Sequence, residues 1–276
     1  MTSKSAAKLI PSDPSTVMVL RDILPHMTTI SSPFARFGLL KIGGRATIIK
    51  LQTGALAVFS PVALTDEVRS KIRSMGDNVR YISAMDIEHH IFITPWANAY
   101  PQAQVIGMEG LPEKREKDPA TKGTTFSHVF TKSNKKDMKI SEEFDNEFEY
   151  EYLHSHQNKE LIYYHKPTMT MIEADFIFNL PAHEQYSKSG ESATSGILSK
   201  LFIAMMNTKD DITWQRRFLW YVASSKDRAG FTESANRMKS WNVQRIIPSH
   251  GDVIESGAQG VFDKLTQWFR EGRAKK

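Results

Sequence analysis

The fold is decided by residues 46–90, ATIIKLQTGALAVFSPVALTDEVRSKIRSMGDNVRYISAMDIEHH. Apolar runs at 46–51 and 55–60, with a glycine-containing turn between them, predict a β-hairpin. A Thr-Asp-Glu cap, followed by apolar residues at helical spacing, predicts a helix over 65–75. The apolar run at 79–83 then predicts a buried strand. Strand, strand, helix and strand in this order indicate a layered α/β arrangement.

The rest of the chain continues the mixture of strands and helices. Strands are predicted at 148–153, 161–164, 169–172 and 243–247, and helices at 197–206, 214–223, 231–241 and 260–272. We expect one domain over 34–272, preceded by an arm at 1–33 and followed by a basic tail at 273–276. The charged stretch at about 110–145 has little periodicity, which predicts a surface excursion, either a lid or a poorly ordered insertion.

Composition narrows the classes of function. The 276 residues, 40% hydrophobic and 24% charged, are typical of a globular protein, and no apolar run approaches the ~20 residues needed to cross a bilayer. The absence of cysteine excludes disulfides, thiolate metal sites and cysteine nucleophiles. The net charge of +5 lies mostly in the C-terminal tail, without the basic stripe of a nucleic-acid-binding surface. We therefore expect a cytoplasmic protein with no nucleic-acid or membrane partner, and we leave the oligomeric state open.

Histidine and carboxylate residues gather after several predicted strands. The clusters are Asp86–His90, His154–His156 and His250–Asp252, and Asp175 follows a fourth apolar strand. Strand ends face the ligand crevice in layered α/β folds, so these polar groups are candidates for a common site. Imidazole and carboxylate ligands without thiolates suit zinc, manganese or iron. The alternative interpretation is structural: loop histidines bound to the backbone, and an aspartate that caps a turn.

These clusters resemble the metal motifs of the metallo-β-lactamase superfamily. Its first motif, H-x-H-x-D-H after a strand, falls on residues 84–89. Its later histidine corresponds to His154 or His156, its bridging aspartate to Asp175, and its final histidine to His250 in Pro-Ser-His-Gly-Asp. The resemblance implies an α/β fold of the αββα four-layer sandwich type. Within the superfamily, the chain resembles a divergent and little-characterised branch with a degenerate metal motif. We expect this branch to be fungal.

The departures from the family motif imply a reduced site. Ala84 and Asp86 stand where the first two motif histidines belong, so the usual dinuclear centre is not expected. The resemblance still supplies ligands for one divalent metal, which we expect to be zinc, with manganese or iron as alternatives, or no metal at all. The ligands that it implies are Glu88, His89, Asp175 and His250, with His154 as a further candidate.

Two functions follow from this resemblance. The first is a metal-dependent hydrolase of a small-molecule ester, lactone or similar substrate, in which Asp175 or Asp86 orients or deprotonates the attacking water. The second is a metal-free relative that binds or isomerises a small molecule, such as a secondary-metabolite intermediate, with His89 or His90 as the general base. The Ser/Gly-rich residues 187–199 contain no nucleophile elbow, which argues against a serine hydrolase.

Overall fold

The computed structural model describes residues 11–209 and 211–272, so residues 1–10 of the predicted arm and the predicted tail at 273–276 lie outside the described residues. The strands are β1 (Val19–Leu24), β2 (Met27–Ser32), β3 (Ala35–Arg36), β4 (Leu40–Lys41), β5 (Gly44–Lys50), β6 (Leu56–Phe59), β7 (Val79–Ser83), β8 (Gln104–Met108), β9 (His128–Phe130), β10 (Phe148–Leu153), β11 (Glu160–His165), β12 (Thr170–Glu173) and β13 (Arg245–Pro248). The α-helices are α1 (Pro14–Val17), α2 (Asp66–Ser74), α3 (Ile93–Ala99), α4 (Leu111–Glu116), α5 (Glu142–Glu147), α6 (His183–Tyr186), α7 (Ile197–Met205), α8 (Thr213–Phe218), α9 (Arg228–Met238) and α10 (Ala258–Glu271). A 3₁₀ turn spans Lys166–Thr168 and a π-helical turn Leu219–Ala223.

Two sheets carry the fold, with helices packed on both. The first has the order β1-β2-β5-β6-β7-β8-β9 and the second the order β10-β11-β12-β13, while β3 and β4 form a separate small hairpin. Strands β6 to β9 run parallel to one another, as do β12 and β13. Helices α3 and α4 contact the first sheet, and α9 and α10 contact the second. This is the expected α/β sandwich of four layers. No helix among the described residues is long and apolar enough to cross a membrane.

Aromatic side chains fill the space between the two sheets. Phe59 on β6 and Tyr163 on β11 belong to different sheets, and their ring centroids lie 4.7 Å apart. The Tyr163 hydroxyl is 2.8 Å from the Ser83 hydroxyl at the end of β7, so this buried polar group has a partner. Phe144 and Phe148 stack beside the pair at 4.5 Å. Rings of this size supply much of the apolar area that holds the sheets together.

The prediction of an arm over residues 1–33 is wrong for its second half. Strands β1 and β2 form an antiparallel hairpin at the end of the seven-stranded sheet, and Ile30 pairs with Ala46 on β5. All six residues of β2 are buried, so its sequence lacks the alternation of a half-exposed strand. Its polar side chains are satisfied inside the fold: the hydroxyl of Thr28 donates to Asp22 at 2.6 Å and that of Ser31 to Glu184 at 2.6 Å.

The charged stretch at 110–145 is also part of the packed fold, which corrects the prediction of a surface lid or insertion. It contains α4, the edge strand β9 and the start of α5. Two of its cations are buried with partners: Arg115 donates to the carbonyl of Thr121 at 2.9 Å, and Lys135 donates to Glu151 at 2.6 Å. Periodicity does not predict the burial of these charged residues, because their partners include residues distant in sequence: His90 for Arg115 and Ser234 for Lys135.

Candidate metal centre

Three side chains from both sheets converge at one edge of the sandwich. His89 lies in the loop after β7, Asp175 two residues after β12, and His250 two residues after β13. The Nε2 atom of His250 is 3.1 Å from Nε2 of His89 and 3.1 Å from Oδ1 of Asp175. The three potential ligand atoms all lie within 4.8 Å of one another. We call this group the His-Asp-His cluster.

The loop after β7 orients His89 through Asp86. One carboxylate oxygen of Asp86, a fully buried residue, accepts the backbone N–H groups of Glu88 and His89, each at 2.7 Å. The same oxygen lies 2.9 Å from Nδ1 of His89. This contact fixes the tautomer of His89 with the proton on Nδ1 and leaves Nε2 facing the cluster. A carboxylate behind a histidine is the usual second partner of a metal-binding imidazole.

His250 is held in the equivalent way by a backbone carbonyl. Its Nδ1–H donates to the carbonyl oxygen of Gly43 at 2.6 Å, so Nε2 is again the atom directed at the cluster. The imidazole ring stacks on Phe178 at 5.1 Å between ring centroids, and Phe34 lies on a parallel plane at 6.1 Å. Both histidines therefore present the same nitrogen in a fixed direction.

A buried clamp fixes the loop that carries His250. The guanidinium of Arg45, fully buried on β5, donates to the carbonyls of Pro248 and Gly251 at 2.7 and 2.6 Å. Gln185 donates to the carbonyl of Ser249 at 2.8 Å and accepts the N–H of Gly251 at 3.1 Å. Gly251 has φ +91°, and a Cβ at this position would lie 2.1 Å from the carbonyl oxygen of Asn179. Only glycine fits here, because the backbones approach too closely for a side chain.

Asp175 is positioned by the neighbouring loop. Its Oδ2 accepts from the side-chain amide of Asn158 at 2.5 Å, and its backbone N–H donates to buried Glu160 at 3.1 Å. Burial alone would raise the pKa of Asp175, but the hydrogen bond to His250 and the charge of His89 hold that pKa well below its usual value. Asp175 is therefore an ionised carboxylate in the cluster.

The electrostatics of the cluster favour positive charge. Burial alone would lower the pKa of His89, but the Asp86 carboxylate, with a smaller contribution from Asp175, raises it to about 9. The distance between the two histidine nitrogens also suits a cation. Two nitrogens bound to zinc at about 2.0–2.1 Å with a tetrahedral angle lie about 3.3 Å apart. The Nε2 atoms of His89 and His250 are 3.1 Å apart. Two imidazoles and one carboxylate fit a borderline divalent metal with one position left for water.

The residues that align with the first two motif histidines, Ala84 and Asp86, do not form a second group of this kind. Among residues 11–209 and 211–272, the His-Asp-His cluster is the one set of three such ligand atoms that converges. Ala84 has no donor, and Asp86 already serves His89. Deeper in the protein, Nε2 of His156 and Oε1 of Glu173 are buried without a hydrogen-bond partner. Burial raises the pKa of Glu173 well above its usual value.

Glu88, the implied carboxylate ligand, is not a member of the cluster. One of its oxygens is 2.9 Å from Nζ of Lys114, and the other is 3.5 Å from a guanidinium nitrogen of Arg36. Burial would raise the pKa of Glu88, but the hydrogen bond and charge of Lys114 lower it overall. The extra methylene places this carboxylate at the mouth of the site, where two cations hold it.

The other two candidates from the sequence also lie outside the cluster. Nδ1 of His90 is 3.1 Å from the guanidinium of Arg115. Burial and the nearby cations lower the pKa of His90 to about 4, so it is a neutral and weakly basic imidazole. Nε2 of His154 lies 3.3 Å from Oδ2 of Asp227, the residue that caps α9. Arg45, Gln185 and Asn158, by contrast, give no local sequence signal, since their partners are remote in the chain.

A cavity adjoins the cluster. Its volume is about 90 Å³, and both His89 and His250 line it. Most of its wall is apolar, with a few charged groups at the edge, which is the usual make-up of a small-molecule site. The wall includes Phe34, Val62, Ile91, Phe92, Arg36 and Glu88.

Comparisons with known proteins agree with this architecture. The metal-soaked Flv1 flavodiiron core from Synechocystis sp. PCC6803 is similar at a TM-score of 0.60 and 15% identity; the match covers 92% of this chain but 61% of that one. A metallo-beta-lactamase from Pontibacter korlensis matches at 0.57 and 10% identity, over 92% of this chain and 99% of that one. A putative diflavin flavoprotein fragment from Nostoc sp. PCC 7120 matches at 0.57 and 9% identity, over 92% and 96%.

Sequence comparison adds the family. No curated protein matches this chain by sequence. A family model described as a domain of unknown function (DUF4336) matches residues 37–223, which contain His89 and Asp175 but not His250. The third member of the cluster thus comes from the segment beyond the matched region. The chain has the metallo-β-lactamase fold and belongs to the DUF4336 family.

Proposed function

We propose that this protein is a metal-dependent hydrolase with one divalent cation, zinc in the first instance, held by His89, Asp175 and His250. The substrate class is a small-molecule ester or lactone that enters the adjoining cavity. The single observation that carries the proposal is the convergence of two Nε2 atoms and one carboxylate oxygen, each oriented from behind by Asp86, Asn158 or the carbonyl of Gly43.

The protein's own groups account for binding and proton handling. When bound, the cation supplies Lewis acidity, which polarises a carbonyl and lowers the pKa of a water molecule. Asp175 is the ionised carboxylate of the cluster, and it orients the attacking water beside His250 by accepting a hydrogen bond from it. The apolar cavity wall holds the body of the substrate and limits access of bulk water. His90 does not serve as a strong base, because its pKa is low.

A second candidate function is supported by the hydrogen bonds within the cluster. Asp86, His89, His250 and Asp175 form a continuous chain of contacts of 2.9, 3.1 and 3.1 Å, which is complete without a cation. In that state the two imidazoles share protons between two carboxylates, an arrangement able to move a proton on a bound molecule. This supports the metal-free alternative, an isomerase or binding protein acting in the same cavity.

Elemental analysis of untagged protein distinguishes the two candidates. We expect about one zinc, manganese or iron per chain, lost in His89→Ala and retained in a His183→Ala control. His183 suits this control because its side chain is exposed and it is not part of the cluster. The metal-loaded protein is then screened against ester and lactone substrates. A metal content far below one per chain, even after reconstitution with metal, would exclude the metal-dependent hydrolase and favour the metal-free function.

A further inference from the structure

Helix α7 presents apolar side chains to solvent instead of to the core. Ile197 is 87% exposed and Leu201 60% exposed, and Leu198 is also exposed. A helix on a globular surface normally turns its apolar stripe inward and its polar residues outward. Here Ser199 is the buried residue and the outer face is aliphatic. An exposed apolar patch of this kind marks a surface that is covered in use.

The turn between β3 and β4 extends this patch. Phe37 is 74% exposed and Leu39 is 58% exposed. The turn and α7 are joined by Ser199, whose hydroxyl donates to the carbonyl of Leu39 at 2.8 Å and accepts the N–H of Lys41 at 3.2 Å. The turn and α7 therefore adjoin, and we call their five exposed apolar residues the α7 surface: Phe37, Leu39, Ile197, Leu198 and Leu201.

Basic residues surround the α7 surface. Residues 35–41 and 187–209 contain five basic residues and a single acidic one. The acid, Glu191, is paired with Lys41 at 2.7 Å, so it does not neutralise the others. Arg36 is paired with Glu88 at 3.5 Å, and the other cations are the exposed Lys188, Lys200 and Lys209. The surface is thus apolar at its centre and positive around it.

The charge pattern identifies the occupant. A second copy of this chain would meet the patch across a two-fold axis, which opposes each patch to itself and brings the cations together. An anionic lipid surface satisfies both features, since its acyl region accepts the aliphatic side chains and its headgroups pair with the lysines. We propose that the α7 surface docks this protein onto an anionic lipid bilayer without crossing it. The expectation of no membrane partner rested on the length of apolar runs, which bears on spanning and not on surface docking.

Docking by the α7 surface would place the cavity near the bilayer. Arg36 lines the cavity and directly precedes Phe37, and Ile91, 46% exposed, lies on the cavity wall. On the inner side of α7, Phe202 packs edge-on against Phe178, which stacks on His250. The docked protein would therefore hold the open mouth of its cavity beside the bilayer. The docking proposal stands independently of any metal or catalytic activity.

Vesicle co-sedimentation of the full chain tests this proposal. The probes are phosphatidylcholine vesicles with and without phosphatidylserine. We expect binding to the phosphatidylserine vesicles that weakens as salt is raised, because headgroup attraction is screened. Binding to neither vesicle, or equal binding to both with no dependence on salt, would overturn the proposal.

Variants separate the apolar and the charged contributions. We expect Ile197→Glu/Leu201→Glu to weaken vesicle binding at least tenfold, and Lys188→Glu/Lys200→Glu to weaken it at least about thirtyfold, since each reversal removes one attraction and adds one repulsion. The control Lys239→Glu/Lys264→Glu makes the same change of charge on exposed residues of the α9–α10 region and should change binding less than about twofold. A control that weakens binding as much as the α7 lysine variant would overturn the assigned surface.

A further variant tests whether the turn and α7 act as one surface, and a measurement of mass tests whether the surface binds a second copy of the chain. Phe37→Glu alters the turn without touching α7, and it should also weaken binding if the two segments act as one surface. Light scattering after size exclusion reports the oligomeric state. A dimer that dissociates in Ile197→Glu/Leu201→Glu, with no vesicle binding by the parent chain, would assign the surface to a second copy and overturn the lipid proposal.

Discussion

Two of the histidine-bearing segments that follow strands, at His89 and His154, differ in what lies behind the imidazole. His89 has the Asp86 carboxylate at Nδ1 and its Nε2 directed at two other potential ligands. His154 has its Nε2 directed at Asp227 and its Nδ1 buried without a partner. The same residue type at the end of a strand is thus available for a ligand in one segment and engaged in packing in the other. The difference teaches that orientation by a second group distinguishes a candidate ligand.

The largest effect is expected from removing a histidine of the cluster. His250→Ala should reduce bound metal from about one per chain to near none, because its Nε2 is central to the three ligand atoms. The cost in the free energy of unfolding of the metal-free protein should stay below about 3 kcal/mol. The matched variant His154→Ala should retain the metal. Elemental analysis and thermal melting measure both.

The opposite pattern would break the comparison. If His154→Ala loses metal and His250→Ala retains it, the site lies at the segment after β10 and not at the His-Asp-His cluster. A large loss of thermal stability in His250→Ala with unchanged metal content would instead give His250 a structural role, through its packing between Phe34 and Phe178.

An intermediate effect is expected from the group behind the histidine. Asp86→Asn keeps the size of the side chain but removes the charge that orients His89. We expect metal affinity to fall about 10–100-fold. Its counterpart, Asp227→Asn, changes the partner of His154 in the same way and should leave metal affinity unchanged. Competition with a chromophoric chelator measures both affinities. Equal losses in the two variants would contradict a specific role for Asp86.

The smallest effect is expected at Glu88. Glu88→Gln removes a carboxylate that is paired with Lys114 and Arg36 and is not a member of the cluster. We expect metal content to remain at one per chain, with a change below about 1 kcal/mol in the free energy of unfolding, as for a partly exposed ion pair. Loss of metal in this variant would show that Glu88 swings in to act as a ligand, as the family motif implies.

Much of the fold was predictable from local sequence patterns. The strands at 79–83 and 148–153 have the predicted bounds, because their ends are marked by turn residues and by changes in apolarity. Strand β2 was not predictable in this way, since Thr28, Ser31 and their neighbours are all buried and no alternation remains. The same holds for 110–145, where Arg115 donates to the carbonyl of His90 and Lys135 donates to Ser234, both of which lie outside this stretch.

The sequence by itself determined the α/β character, the order of the main strands, and the small set of histidines and carboxylates available for a site. Only the tertiary structure decided which of them meet. His89, Asp175 and His250 converge because the ends of β7, β12 and β13 share one edge of the sandwich. Glu88 contacts Lys114 and His154 contacts Asp227, so neither side chain points into the cluster. The physical reason is that side-chain direction depends on partners remote in sequence, which local patterns do not encode.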